Sequence, residues 1–348
     1  MHPYVLFTFM LSLGLGTILV FISSHWLMAW VGLEISTLAI LPLMAQHHHP
    51  RAVEATTKYF LVQAAAAALI LFAGTMNAWL TGQWDINFQL NIFPACIFIM
   101  ALALKMGIAP VHFWLPEVLQ GLDLTTGLIL STWQKLAPFI LLCQIMPLNS
   151  SLVTFMGVIS TLVGGWGGLN QVQLRKIMAY SSIGHLGWML LIMQFNQQLA
   201  LITLAIYILM TFSVFMVFKI NSALTINMLA MSWAKVPVLT IITPLVLLSL
   251  GGLPPLLGFL PKWMILQELV KQDLPFIASI TALSSLLSLY FYLRISYALT
   301  LTTPPSNINS TISWSLSPPV GLTLPLAVFV TITVMLLPLG PGVLTFFV

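Results

Sequence analysis

The sequence predicts an all-α polytopic membrane protein of about eleven transmembrane helices, two of them interrupted near their middles. Three observations lead there. Of 348 residues, 59% are hydrophobic and only 5% charged, with a mean hydropathy of +1.04, whereas a soluble domain carries about a quarter charged residues to cover its surface. The apolar residues fall in runs of about 20, the length that spans a hydrocarbon core roughly 30 Å thick. Two runs are longer and carry Gly and Pro near their centres.

In chain order the predicted spans cover residues 3–22, 26–45, 54–80, 91–121, 125–146, 151–170, 175–194, 198–219, 237–268, 275–299 and 321–342. Each is cut where polar residues, Gly or Pro end the run. The chain reads as a single transmembrane domain over 1–348, with N-terminal helices in 1–80, a first broken-helix region in 91–220, and a second one with the C-terminal helices in 237–348. Met1-His2-Pro3-Tyr4 leads straight into Val5 with no Arg-rich transit segment and no small-residue cleavage site, so the first span is expected to be retained.

Lys and Arg stay on the side from which helices insert. Arg51, Lys58, Arg175, Lys176, Lys219, Lys235 and Arg294 lie at even-numbered connections or the helix ends beside them, and Lys271 at an odd one. The N-terminus then shares the positive side and the C-terminus lies opposite. Glu117 and Asp123 are a local exception. Thr302 to Pro319 reads as a polar surface loop, and its Asn309-Ser310-Thr311 fits a glycosylation acceptor only as a short, weak pattern.

The composition also excludes several functions. A net charge of +4 and a pI near 9.1 come from singly scattered basic residues, so no patch exists to bind nucleic acid. Cys96 and Cys143 cannot supply the thiolates of an iron-sulfur cluster and read as buried small hydrophobes. There is no dinucleotide fingerprint, Walker loop or haem-type Cys pair. His47-His48-His49 resembles a metal tract only superficially, because consecutive loop side chains do not converge without further ligands. Trp26, Trp79 and Trp84 sit near span ends as interface anchors.

The two interruptions resemble each other. One reads Gly107-Ile-Ala-Pro110-Val-His-Phe-Trp-Leu-Pro116, the other Gly251-Gly-Leu-Pro254-Pro255-Leu-Leu-Gly-Phe-Leu-Pro261. Both contain Gly-x-x-Pro and a Pro-x5-Pro ending in Leu-Pro. They fall in the fourth and ninth spans, which cross in opposite directions, the signature of an inverted repeat. Paired broken helices point to a transport path, since their freed backbone groups must line a polar cavity; two ordinary Pro kinks are the plainer alternative.

A charge at mid-membrane costs at least ~2.5 kcal/mol and is a functional candidate by default. Four stand out. Glu34 sits alone midway along the second span, and Lys105 immediately precedes the first break. Lys135 lies in an apolar helix with Ser131 one turn earlier and Gln134 beside it, and Lys262 follows Pro261 near the counterpart of Glu117. Desolvation disfavours the charged forms of Lys and Glu, so buried examples exchange protons more readily near neutral pH. The alternatives are a static ion pair for Glu34 and Lys105, a Lys135 satisfied by water or backbone, and a snorkelling Lys262. His185, one turn after Ser181 and Ser182, reads equally as relay or packed core, and His112 as a water-contacting group or a prop for the break.

At these residues the chain resembles the antiporter-like membrane subunits of respiratory complex I, in the NADH dehydrogenase subunit 2 branch. The carrying motifs are Trp30-Val-Gly-Leu-Glu34, Leu104-Lys105 through Pro116-Glu-Val, Thr132-Trp-Gln-Lys135-Leu-Ala-Pro138, and Gly251 through Lys262-Trp. Subunits 4 and 5 share the His-x-Trp-Leu-Pro core but continue differently; here Pro116 is followed by Glu-Val-Leu-Gln-Gly-Leu-Asp123. The resemblance implies two inverted five-helix bundles, each with a discontinuous helix, and fewer helices than bacterial relatives carry. It implies a Glu34–Lys105 pair coupled to quinone chemistry elsewhere, Lys135 as central relay, and Lys262 as the lysine of the second half-channel. It also implies the mitochondrial inner membrane with the N-terminus in the matrix and the C-terminus in the intermembrane space. The expected partners are other membrane-arm subunits, including neighbouring antiporter-like ones, and lipids such as cardiolipin. No cofactor is expected in this chain, with NADH, FMN, iron-sulfur clusters and ubiquinone in partner subunits. Against this proton-translocating reading stand a free-standing cation/proton antiporter and a structural assembly subunit with static ion pairs.

Overall fold

The computed structural model describes residues 2–46, 49–86, 90–145, 150–234, 237–301, 320–335 and 337–339. His47, His48, Lys235 and the 302–319 stretch with Asn309 lie outside them. The described residues are mostly helical, with no strand beyond two isolated bridges, His25–Asp85 and Gln173–Thr225. The helices are α1 (Pro3–Ile22), α2 (Trp26–Met44), α3 (Pro50–Thr81), α4 (Ile92–Met106), α5 (Trp114–Gly121), α6 (Leu124–Ile145) and α7 (Ser150–Gly167). They continue with α8 (Leu174–Met193), α9 (Gln197–Ile220), α10 (Ile226–Ala230), α11 (Pro237–Gly251), α12 (Phe259–Lys271), α13 (Pro275–Leu301) and α14 (Val320–Met335). Among the described residues, α1, α2, α3, α6, α9 and α13 are long and apolar enough to cross a membrane.

The chain divides into two compact units, Met1–Ser160 and Thr161–Val348. In the first, α3 packs on α2, α4 and α5, while α6 packs on α1, α2 and α4. Helices α1 and α2 approach closely because both are glycine at the crossing: a methyl on Gly16 would stand 2.8 Å from the Gly32 carbonyl oxygen, and one on Gly32 2.8 Å from that of Gly16. Small residues at helix crossings are how membrane bundles gain packing without a hydrophobic drive between helices. The loops after α1 and α3 bond to each other, Trp26 N to Trp84 O at 3.0 Å and Ile86 N to Ser24 O at 2.9 Å. Trp26 is therefore not an interface anchor. It is 2% exposed and stacked on Phe98 at 3.9 Å, because α3 and α4 cover the span end that carries it; Trp79, 85% exposed, faces outward as expected.

In the second unit α9 packs on α8, α11, α12 and α14, and α13 on α11 and α12. The loops before α8 and α10 bond likewise, Leu174 N to Leu224 O and Ile226 N to Val172 O. Arg294 of α13 donates to the carbonyls of Leu169, at 2.6 Å, and of Gln171. A methyl on Gly164 would meet the backbone nitrogen of Gly184 at 2.5 Å, so α7 and α8 also touch backbone to backbone.

Both interruptions are real. Gly107, with φ +76°, ends α4, and Gly252, with φ +79°, follows α11. These left-handed conformations suit Gly, which has no Cβ to clash. The matching register is thus Gly252-x-x-Pro255, one residue later than Gly251-x-x-Pro254, and it keeps Pro110-x5-Pro116 aligned with Pro255-x5-Pro261. Lys262 then falls opposite Glu117, while Leu250 occupies the place of Lys105.

Candidate proton-path site

A helix that stops inside hydrocarbon leaves carbonyls that water cannot reach, so side chains must satisfy them. At the first break the indole of Trp114 donates to Leu104 O at 3.0 Å and the amide of Gln63 to Lys105 O at 3.3 Å. Both donors come from outside α4, which leaves the Lys105 ammonium uncommitted. Lys105 is 6% exposed, and its Nζ has no hydrogen-bond partner among the described residues, nor has the buried Oε2 of Glu34. Glu34 acts electrostatically on Lys105 and on Tyr59, but the two charges are not closed into a contact pair.

Lys105 and Lys135 line one small void, together with Tyr59, Gln63, Gln134 and Ser36. It offers about 10 Å³ to the centre of a water molecule, room for roughly one ordered water. Lys135, 2% exposed, is among the largest fully buried side chains. Gln134 donates to Ser36 O at 3.2 Å and so ties α6 to α2 beside Glu34. Ser131, one turn before Lys135, is buried and donates its hydroxyl to Leu128 O at 3.0 Å.

His112 is kept away from this void. Its Nδ1 lies 3.3 Å from Pro110 O, and its ring packs on Phe113 at 4.3 Å, which fits a prop for the break. On the outer end of α3, Lys58 pairs with Glu54 and with Glu117, each at 2.8 Å, so the acidic exception at Glu117 has a basic partner. His49 caps α3, its Nδ1 accepting from Arg51 N at 3.3 Å.

The second unit has its own void, lined by Lys262, His185, Ser181, Ser284, Ser288 and Tyr292 among others. Its basic groups are His185 and Lys262, with hydroxyls from α8 and α13 around them. His185 also packs its ring on Tyr207 at 5.5 Å. Lys262 Nζ donates to Gly251 O at 2.7 Å, so here the lysine itself satisfies the interrupted helix.

Comparison with known proteins decides the family. Residues 23–288 match the family described as NADH:quinone oxidoreductase/Mrp antiporter, TM, and residues 289–344 the one described as NADH dehydrogenase subunit 2 C-terminus. The chain is 75% identical over 344 residues to NADH-ubiquinone oxidoreductase chain 2 of Gadus morhua, covering 99% of each. The chain belongs to the NADH-ubiquinone oxidoreductase chain 2 family. The chain 2 of Tetraodon nigroviridis is 62% identical over 349 residues, 100% of this chain and 99% of that one. A chain of respiratory complex I from Thermus thermophilus superposes with a TM-score of 0.86 at 26% identity, covering 99% of this chain and 80% of that one. A chain of the Mrp complex from Dietzia sp. DQ12-45-1b shares the fold, with a TM-score of 0.84 at 16% identity over 97% of this chain and 75% of that one. This chain 2 family member therefore has the antiporter-like polytopic fold.

Two lining residues of this chain 2 family member were not singled out in its sequence. Tyr59 and Gln63 sit one turn apart on α3, and Gln63 is the one strongly polar side chain between Lys58 and Asn77. That isolation in an Ala-rich helix was the available signal. Cys143 is buried as expected, whereas Cys96 is only half-buried.

Proposed function

We propose that this chain is a core membrane-arm subunit of the proton-pumping NADH:ubiquinone oxidoreductase, respiratory complex I, and carries a path for protons driven by electron transfer in other subunits. One observation carries the reading: Lys105 and Lys135 border one water-sized void, while the Lys105 ammonium and a Glu34 oxygen are left without hydrogen-bond partners among the described residues. Static pairing would have used those atoms. A buried amine left open as Lys105 is can take up and release a proton, because neither charge state is locked by a hydrogen-bond partner. Lys262 and His185 form a second proton-exchanging set in their own unit, and His112 serves the break.

The same reading includes eleven spans in two inverted five-helix repeats within one transmembrane domain, placed in the mitochondrial inner membrane with the N-terminus in the matrix and the C-terminus in the intermembrane space. The bonded loops after α1 and α3, and before α8 and α10, support the alternation of helix direction that this topology needs. The partners are other membrane-arm subunits and membrane lipids, and the redox groups belong to the partners. The test is the proton-to-electron ratio of the fully assembled complex in sealed vesicles, with and without Lys135→Met. A lower ratio, or loss of electron transfer and pumping together, supports the path. An unchanged rate and ratio leaves a structural role.

A further inference from the structure

We propose that Tyr292 is a positioning residue of the second unit: its hydroxyl holds the water through which Lys262 and His185 exchange a proton, in the void that all three line. The inference rests on the proton path proposed above. The void offers about 10 Å³ to the centre of a water molecule, room for roughly one. Its lining decides how such a water is bound. Ser181 of α8 donates to Met178 O at 2.8 Å. On α13, Ser284 donates to Thr281 O, Ser285 to Ala282 O and Ser288 to Ser285 O, at 2.8, 2.7 and 2.7 Å. These four hydroxyls have spent their protons on their own helices and offer the void lone pairs alone. Tyr292 is the complement. It is 1% exposed, and its hydroxyl makes no direct hydrogen bond among the described residues. A buried hydroxyl is normally served by protein or by ordered water, and here it borders a space that admits one.

The backbone sets its place between the two bases. A methyl on Gly251 would stand 3.6 Å from the Tyr292 ring, and the Gly251 carbonyl accepts from Lys262 Nζ at 2.7 Å. Ring and ammonium therefore meet the same residue at the end of α11. Toward α8, Ser181 is within interaction range of the Tyr292 hydroxyl, and His185 follows one turn later on the same face. In the step, an N–H bond of the Lys262 ammonium breaks as the water takes that proton. An O–H bond of the water breaks as its own proton passes to a ring nitrogen of neutral His185. Ammonium becomes amine, imidazole becomes imidazolium, and the water is regenerated. Tyr292 keeps its proton throughout and orients the water by donating to it.

The experiment sets Tyr292→Phe and Lys262→Met beside the unmodified protein in the assembled complex in sealed vesicles, reading coupled turnover and its solvent deuterium isotope effect. Phe keeps the ring against Gly251 and removes the hydroxyl alone. Coupled turnover in Tyr292→Phe is expected to fall about two- to tenfold, the equivalent of one hydrogen bond. The isotope effect is expected to rise, because transfer through a less firmly held water becomes slower. Unchanged turnover in Tyr292→Phe with a defect in Lys262→Met overturns the role of Tyr292 and leaves the path standing. No defect in either variant overturns the second unit's path and the role with it. A fall in turnover with an unchanged isotope effect, or failure of Tyr292→Phe to assemble, assigns the hydroxyl to packing and also overturns the proposal.

Discussion

In hydrocarbon, an amide or indole that reaches an unpaired carbonyl matters more than its place on a helix wheel suggests. Gln63 and Trp114 each donate to one carbonyl at the end of α4, and removing the Gln63 amide takes a side-chain donor from the Lys105 carbonyl. Gln63→Leu is expected to cost about 1–3 kcal/mol, read as a lower melting temperature of the purified complex. Lys58→Ala removes two ion pairs whose members are largely exposed, and melting is expected to stay unchanged, since such pairs contribute little. Residue by residue, Glu34, Lys105, Lys135 and Lys262 were legible because charge in an apolar run is conspicuous. Tyr59 was not, for a tyrosine in a membrane helix reads the same whether it faces lipid or a lysine. His25 and His49 escaped for another reason: each accepts a backbone N–H at a helix start, of α2 and α3 respectively, a service usually rendered by Ser, Thr, Asp or Asn.

At the scale of elements, the two units use the same device, a backbone-to-backbone crossing beside a position of the proposed proton path. Gly32 lies two residues before Glu34, and Gly184 immediately before His185. The second crossing is asymmetric. A methyl on Gly164 meets Gly184 N at 2.5 Å, whereas one on Gly184 finds its nearest neighbour, the Gly164 Cα, at 3.9 Å. Gly164→Ala is therefore expected to destabilise by about 1–3 kcal/mol through overpacking, and Gly184→Ala to be tolerated, as thermal dissociation of the two variant complexes will show. The breaks themselves were legible because Gly and Pro carry backbone constraints in their chemistry. Their register was not, since Gly251 and Gly252 both satisfy the spacing and only the left-handed φ of Gly252 distinguishes them.

For the molecule as a whole, hydropathy made the helical membrane fold readable, because about 20 apolar residues have few other uses. Burial at span ends was less readable, as Trp26 shows: the sequence places it at an end without saying that α3 and α4 cover it. The proposed orientation is checked by single cysteines at Val172 and Lys271, which follow α7 and end α12. A membrane-impermeant thiol reagent is expected to label Val172→Cys from the matrix side and Lys271→Cys from the other; the swapped pattern would reverse the orientation, and labelling of both from one side would overturn the three crossings between them. The bond from Lys262 to Gly251 O has one more implication. A lysine ammonium carries three donors and the carbonyl uses one; an amine that has surrendered a proton still has two. The end of α11 therefore keeps a donor from the side chain that closes it in either charge state, and on the proposed path a proton would be exchanged at Lys262 without that bond opening.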